Sequence, residues 1–516
     1  MRSRPNQPSA VAFALPICAI AVVALLGALR IFDPPYGDQA LFLVGAMKLH
    51  AGGVLYRDFW DLKQPGIFAF YLIGGSLFGF STSGVHEFEL LWQLAFAALL
   101  VVALRPRLHN VAAAAVAPLL AVGSYYSGTV PWHLTQVEGL VGFPLFCFVW
   151  AAIAALERSP IDWRLALLSG FGAGIVVNWK WLFGAIVISA LIVVVRTFGT
   201  QHNLATFMRS GAIWALAFCI PVAAFVLYAT FYGILPLAYV TFFELPRRLA
   251  TELSATPASR LWRDARWFFG NFSALVVLAA TGFIGQRRAT TDLARSAWTR
   301  ASLAWLASDL VVFLVQRQSW WLYHLLLLLP PLAILGTFGV DNLVDAWRFE
   351  RRGAARSAVV VVAFAVTILG LPLVRGPLET IEKVASLRPF TPAALQRYDV
   401  RTDQGYAADV EAAHSFDTFA NVAGDIYVCG DPTIYLLVGR SQGVAINGWL
   451  YSLERPEQWA ATRDDIQRRR LPYVFVSGEC GDMLPHWAPG LAALLANDYR
   501  IQARTPEGLW YSRTAL

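Results

Sequence analysis

The stretch that decides the fold is Val11-Ala-Phe-Ala-Leu-Pro-Ile-Cys-Ala-Ile-Ala-Val-Val-Ala-Leu-Leu-Gly-Ala-Leu-Arg-Ile31, together with the loop that follows it, Phe32-Asp-Pro-Pro-Tyr-Gly-Asp38-Gln39. The apolar run carries one charge, Arg30, near its end. It is long enough for a helix to cross about 30 Å of hydrocarbon, which takes about 20 residues. Arg2 and Arg4 precede it and no small-residue cleavage pattern follows, so the expectation is an uncleaved first helix with a cytoplasmic N-terminal tail over 1–10.

Further apolar segments recur along the chain. They are Glu89 to Leu104, Val111 to Ser127, Gly139 to Leu156, Leu165 to Val177, Trp181 to Val195, Gly211 to Tyr232, Phe268 to Ile284, Ala301 to Val315, Leu322 to Val340 and Ala358 to Leu373, giving about eleven spans in all. A chain with 57% hydrophobic and 15% charged residues and a mean hydropathy of +0.53 is too apolar for a soluble protein of this length. The fold class expected is a polytopic α-helical membrane protein over 11–373.

Alternating the spans from a cytoplasmic start puts Arg105-Pro-Arg107, Glu157 to Arg164, Arg196 to Arg209, Gln286 to Arg300 and Trp347 to Arg356 inside, and each carries Arg. The net charge of +7 therefore reads as topology. Basic residues scattered over membrane-flanking loops argue against a nucleic-acid partner. Trp60, Trp132, Trp179, Trp262, Trp267, Trp320 and Trp321 fall on the other side and form an aromatic belt. Lys180 lies between two tryptophans and reads as one more interfacial anchor. Asp309, inside an apolar span, is expected to be buried against a partner or neutral.

An odd number of spans leaves 374–516 outside, as an extracytoplasmic C-terminal domain. Short apolar runs, Asp425 to Cys429, Gly443 to Asn447, Pro472 to Val476 and Tyr499 to Gln502, alternate there with helical patterns, Glu457 to Arg470 and Pro489 to Asn497. That alternation predicts a small α/β domain with a mainly parallel sheet. Cys429 and Cys480 each follow a predicted strand, and a disulfide and two unpaired thiols fit the sequence equally. The turns Gly430-Asp431-Pro432 and Gly478-Glu-Cys-Gly481 also follow strands, where α/β domains often bind ligands. No phosphate-binding Gly-rich loop is present.

The first outer loop, 32–85, is unusually organised. Asp38 stands before an amphipathic run, Ala40 to His50, where a carboxylate favours the helix dipole, and Gly52-Gly53 stops that helix. Pro65 opens a second run, Gly66 to Phe78, which ends at Gly79. Between the two lie Tyr56, Asp58, Asp61 and Lys63. Transfer of a sugar needs a carboxylate to take the acceptor's proton and a cation to stabilise a departing phosphate, and this loop holds both. Taken singly, Asp38 also fits a helix cap, Asp58 and Asp61 solvated loop acids, and Lys63 a snorkelling lysine.

Asp38, the segment Gly53-Val-Leu-Tyr56-Arg-Asp58-Phe, Lys63-Gln-Pro65, Leu77-Phe-Gly79 and the later Trp321-Leu-Tyr323-His324 together resemble the GT-C superfamily of membrane glycosyltransferases, in particular the protein-mannosyltransferase, aminoarabinose-transferase and rhizobial galacturonosyltransferase-like group. The resemblance implies an inverting transfer from a polyprenyl-phosphate sugar, with Asp38 as catalytic carboxylate and Lys63 near the carrier phosphate. Glu138, in Pro131-Trp-His-Leu-Thr-Gln-Val-Glu138, stands where the group has a further acidic residue and is expected as a second catalytic-site acid behind Asp38. Tyr56, Asp58, Tyr323 and His324 are candidate contacts to sugar or carrier, although Tyr323-His324 also fits an interfacial anchor. Arg247 and Arg248, with Arg260, Arg263 and Arg266, suit phosphate oxygens and anionic lipid headgroups equally.

Many members have a second acid after the first, whereas this chain has Gln39. A neutral amide is a poorer ligand for a hard cation, which weakens the case for a divalent metal; no certain cofactor is implied. The partners expected are a polyprenyl-phosphate sugar donor, an envelope lipid, glycan or protein acceptor, and membrane lipids, in a bacterial-type inner membrane. Two other classes fit less well. A transporter or flippase of lipid-linked glycans should show repeated halves with broken helices, and no internal repeat is visible. A noncatalytic envelope-assembly protein leaves the charged loop unexplained.

Overall fold

The computed structural model describes residues 10–252, 257–286, 292–316, 320–349, 353–387 and 391–514. Arg2 and Arg4, most of the N-terminal tail, and parts of the Gln286 to Arg300 and Trp347 to Arg356 segments lie outside the described residues. Every apolar segment marked out above is helical. Among the described residues nine helices are long and apolar enough to cross a membrane, from Thr82–Arg107 to Arg356–Ser386. Of the two remaining segments, Ala14–Ala28 is a shorter apolar helix and Trp163–Trp179 has 17 residues.

The chain divides into two compact units. The first, 1–30, 87–225 and 254–382, contains most of the apolar helices. Its helices Ala258–Gln286 and Leu329–Phe349 cross backbone to backbone, because a Cβ on Gly282 would strike the Leu335 carbonyl and one on Gly339 the Leu278 carbonyl. Small residues at such a crossing let main chains approach where lipid supplies no hydrophobic drive. Two residues beyond Gly339, Asp341 pairs at 2.6 Å with Arg295, almost fully buried, of helix Leu293–Val315. The same carboxylate accepts from the Asn110 N–H at 2.8 Å and the His109 N–H at 3.1 Å. Breaking a buried pair of this kind typically costs about 3–5 kcal/mol, so it locks three segments of chain.

The second unit comprises 31–86, 226–253 and 383–516. Its sheet has the order β1 (Ile426–Cys429), β2 (Tyr473–Ser477), β4 (Gly508–Arg513), β3 (Tyr499–Arg504). β1 and β2 are parallel, but β2–β4 and β4–β3 are antiparallel. The expectation of a mainly parallel sheet is therefore corrected. The reason is local: Thr505 closes a tight turn on Gly508, with N–H to carbonyl 2.9 Å, so β3 folds straight back into β4. β4 was not among the predicted strands, although its residues alternate between buried and half-buried. The segment Gly443 to Asn447 is not a strand; it makes only single bridges, such as Ile446 to Trp60.

The sheet is covered on both faces. Tyr427, Cys429, Val474 and Val476 face a core with Trp459, Ile466, Leu484 and Leu491 from the helices Pro456–Arg469, Gly478–Trp487 and Pro489–Asp498. On the opposite face Trp510 meets Phe475 at 4.9 Å and Phe416 at 4.6 Å, and its indole donates to the Ala412 carbonyl of helix Gln404–Asp417 at 2.8 Å. The question left open for the cysteines is answered: Cys429, at the end of β1, is bonded to Cys480 in the helix after β2, with Cα atoms 6.0 Å apart.

A cross-link between cysteines 51 positions apart restricts the unfolded chain by about 4 kcal/mol on the loop-entropy estimate. Alkylation of the denatured chain should accordingly label only Cys18, Cys147 and Cys219 before reduction, and all five cysteines afterwards. Mass spectrometry reads the difference, and five labels without reductant would contradict the bond.

Candidate active site

Asp38, Asp61 and Lys63 of the loop over 32–85 come together within the second unit. Helix Asp38–His50 begins at Asp38, and the residue before it, Gly37, has φ +42°. A side chain there would be strained, and a Cβ would also sit 2.6 Å from the Trp449 ring. The turn is held from both sides. The Gly37 N–H donates to Asp431 Oδ2 at 3.3 Å, Asp431 Oδ1 accepts from the Thr433 N–H at 2.8 Å, and the Tyr36 hydroxyl donates to Asp403 Oδ2 at 2.9 Å. Gln39, where a second acid was absent from the sequence, is buried, and its Oε1 accepts from the Tyr36 N–H at 3.1 Å.

Gly52 and Gly53 end the helix, returning N–H bonds to Leu49 and Lys48 carbonyls at 3.0 Å each. The chain then runs into a knot of short contacts. Tyr56 takes φ +68°, uncommon for a residue with a side chain, and is fully buried against Phe242. Its hydroxyl donates to the Lys63 carbonyl at 2.9 Å, while the Lys63 N–H donates to Asp61 Oδ1 at 2.6 Å. Both ends of the Lys63 backbone are thus fixed, and its ammonium lies 3.1 Å from Asp38 Oδ2. The other carboxylate oxygen, Oδ1, accepts from the Trp449 indole at 2.8 Å. The pair is partly open, with the Asp38 and Lys63 side chains 14% and 27% exposed.

Asp61 itself is fully buried. Burial pushes its carboxyl up to about 7, with the Asp38 charge adding to the rise and Lys63 opposing it. Asp58 turns elsewhere: it accepts from the Val54 N–H at 2.8 Å and pairs with Arg57 at 2.9 Å, which holds its carboxyl below the usual range. Arg247 is exposed and Arg248 half-buried on helix Leu245–Glu252.

The remaining candidates gather in the first unit. Glu138, 2% exposed, pairs with Lys180 at 2.8 Å and lies 3.6 Å from His324 Nε2. Lys180 also donates to Gln316 Oε1. Tyr323 stacks with Trp321 at 6.5 Å and meets His324 edge-on at 4.8 Å. Lys180, read in the sequence as an interfacial anchor, is therefore an ion-pair partner. Asp309 is buried in its helix with neither carboxyl oxygen hydrogen-bonded among the described residues.

Among the described residues, one group of three side chains, His109, Asp341 and Asp345, comes within metal-ligand reach of one another. Asp341 is already committed to Arg295 and two backbone N–H groups, the bonding of a structural lock. Sequence reasoning missed Trp449, Asp403 and Asn447 as parts of the Asp38 surroundings, and placed Asp431 only in a turn. The one local signal was Asn447-Gly-Trp449, a capping residue before a short helix, Gly448–Leu453.

These features define a polytopic helical membrane fold with a charged loop over 32–85 and an α/β C-terminal domain, a fold shared with a solved membrane protein. The whole chain superposes on ArnT from Cupriavidus metallidurans bound to undecaprenyl phosphate, with a TM-score of 0.62 at 13% identity over 98% of this chain and 99% of that one. The apo state of the same protein matches with a TM-score of 0.60 at 12% identity over 98% of each chain. No protein-family model matches the sequence, and no curated protein matches it in sequence.

The Asp61 environment has a pH consequence. A carboxyl raised from 3.8 to about 7 keeps in the folded state a proton that the unfolded chain releases, so its contribution is fully present below the ordinary value and is lost as pH rises to about 7. Asp61→Asn keeps an acceptor for the Lys63 N–H and removes the titration. The melting temperature of the full chain should fall more between pH 5 and pH 8 in the wild type than in D61N. Parallel pH profiles would contradict this account of Asp61.

Proposed function

We propose that the protein is an inverting glycosyltransferase that moves a sugar from a polyprenyl-phosphate carrier to an envelope acceptor, which is a lipid, glycan or protein, on the extracytoplasmic face of a bacterial-type inner membrane. The N-terminus is then cytoplasmic and 374–516 extracytoplasmic. The observation that carries this reading is the Asp38 carboxylate at a helix start, 3.1 Å from an ammonium whose backbone is clamped on both sides. The ArnT-like fold supports it, since that structure holds undecaprenyl phosphate.

In the proposed reaction the acceptor hydroxyl attacks the anomeric carbon from the face opposite the phosphate. Its oxygen forms the new glycosidic bond, its proton passes to the Asp38 carboxylate, and the bond from carbon to phosphate oxygen breaks. Polyprenyl phosphate leaves with the added charge, which Lys63 stabilises. Asp61 and Tyr56 keep Lys63 aimed. Arg247 and Arg248, in the same unit as Asp38, are candidate contacts to the carrier phosphate. Asp58 holds the loop turn through Val54 and Arg57.

Loss of a general base lowers turnover by about 10²–10⁴, and loss of a charge-stabilising donor by about 10²–10³. Asp38→Asn and Lys63→Met should show losses of these sizes with normal membrane insertion. Mass spectrometry of a deletion strain should find an accumulated polyprenyl-phosphate sugar and an envelope component lacking that sugar, corrected by the wild-type gene and not by D38N. An unchanged profile, or correction by D38N, would remove the assignment.

A further inference from the structure

The Asp38 carboxylate is held by a residue distant in sequence. Trp449 Nε1 donates to Oδ1 at 2.8 Å while Lys63 lies against Oδ2 at 3.1 Å, so the two oxygens have different partners and the carboxylate plane is set. The indole is itself secured. Asn447 Oδ1 accepts from the Trp449 and Leu450 N–H groups at 3.2 and 3.3 Å, and its Nδ2 donates to the Trp60 carbonyl at 2.7 Å. One amide therefore ties the segment carrying Trp449 to the loop carrying Lys63. The Trp60 N–H adds a bond to the Ala445 carbonyl at 2.8 Å. On the far side of the Asp38 turn, Asp431 holds Gly37, and the absence of a Gly37 side chain lets the Trp449 ring approach.

We infer that Trp449 is a positioning residue for Asp38, so that the C-terminal domain completes the transferase site. The inference rests on Asp38 being the proton acceptor. A carboxylate free to rotate about its Cβ–Cγ bond spends little time aligned with an attacking hydroxyl, and misplacement by about 1 Å can cost about 10²-fold in rate. The indole N–H on Oδ1 removes that freedom.

The test uses the full-length protein in detergent. The donor is the carrier-lipid extract of the deletion strain, and membranes of that strain supply the acceptor. Trp449→Phe removes the N–H and keeps an aromatic ring. A second variant, with benzothienylalanine at position 449 introduced by amber suppression, keeps the bicyclic shape and replaces only the N–H. Both should lower kcat by about tenfold or more, which is about 1.4 kcal/mol, with KM for the donor extract and the melting temperature unchanged. Tryptophan restored by the same suppression should recover full turnover.

Unchanged kcat in the benzothienyl variant, or a loss confined to KM, overturns the positioning role; if W449F unfolds, the benzothienyl variant decides. Asp38→Asn run in parallel separates the two levels. Inactive D38N with a fully active benzothienyl variant leaves the transferase reading standing and removes Trp449, whereas active D38N removes both.

Discussion

The arrangement of the second unit turns on one ion pair, Asp38 with Lys63. It is only partly buried, and a pair in that setting stabilises a fold weakly by itself. Its importance lies in how much chain is spent on holding it. Asp38 is placed by a helix start and a glycine turn, and Lys63 by a buried carboxyl on its N–H and a buried phenol on its carbonyl. Tyr56 accepts a left-handed backbone to reach that carbonyl. Local strain and a fully buried acid are costs that a loop with no task beyond connecting two helices would not retain.

The C-terminal domain gives this pair its second set of restraints. Its two-faced α/β core is cross-linked by the Cys429–Cys480 disulfide. From that core the turn after β1 presents Asp431, and the short helix Gly448–Leu453 presents Trp449. Groups on a rigid scaffold hold a reacting carboxylate more tightly than groups on a loop. The acids around this turn share one low-dielectric neighbourhood. Asp409 is pushed up to about 9 by burial and by Asp431, Glu507 and Asp403, and Asp431 and Glu507 are also raised, chiefly by burial.

Much of this was legible in the sequence, for physical reasons that differ by element. The membrane helices are visible because about 20 apolar residues have few other stable uses. The two short helices of the first loop are visible because Asp38, Gly52-Gly53, Pro65 and Gly79 act on their own neighbours. The parallel pairing of β1 and β2 follows from the helical pattern between them. β4 was legible too: the turn before it, Thr505-Pro506-Glu507-Gly508, carries a proline and a glycine at favoured turn positions, and the residues after it alternate as a strand does. Trp449 was hidden: it lies 411 positions from Asp38, and nothing local marks an indole as the partner of a carboxylate that far away. Lys180 was misjudged because flanking tryptophans make an anchor plausible, while its partner Glu138 comes from another helix.

The most direct measurement is a cryo-EM structure of the full chain with bound polyprenyl-phosphate sugar. The account predicts the carrier phosphate within hydrogen-bonding reach of the Lys63 ammonium, about 3 Å, and the anomeric carbon facing Asp38, with the Trp449 indole still on the carboxylate. A carrier phosphate bound away from Lys63, with Asp38 pointing from the sugar, would contradict it.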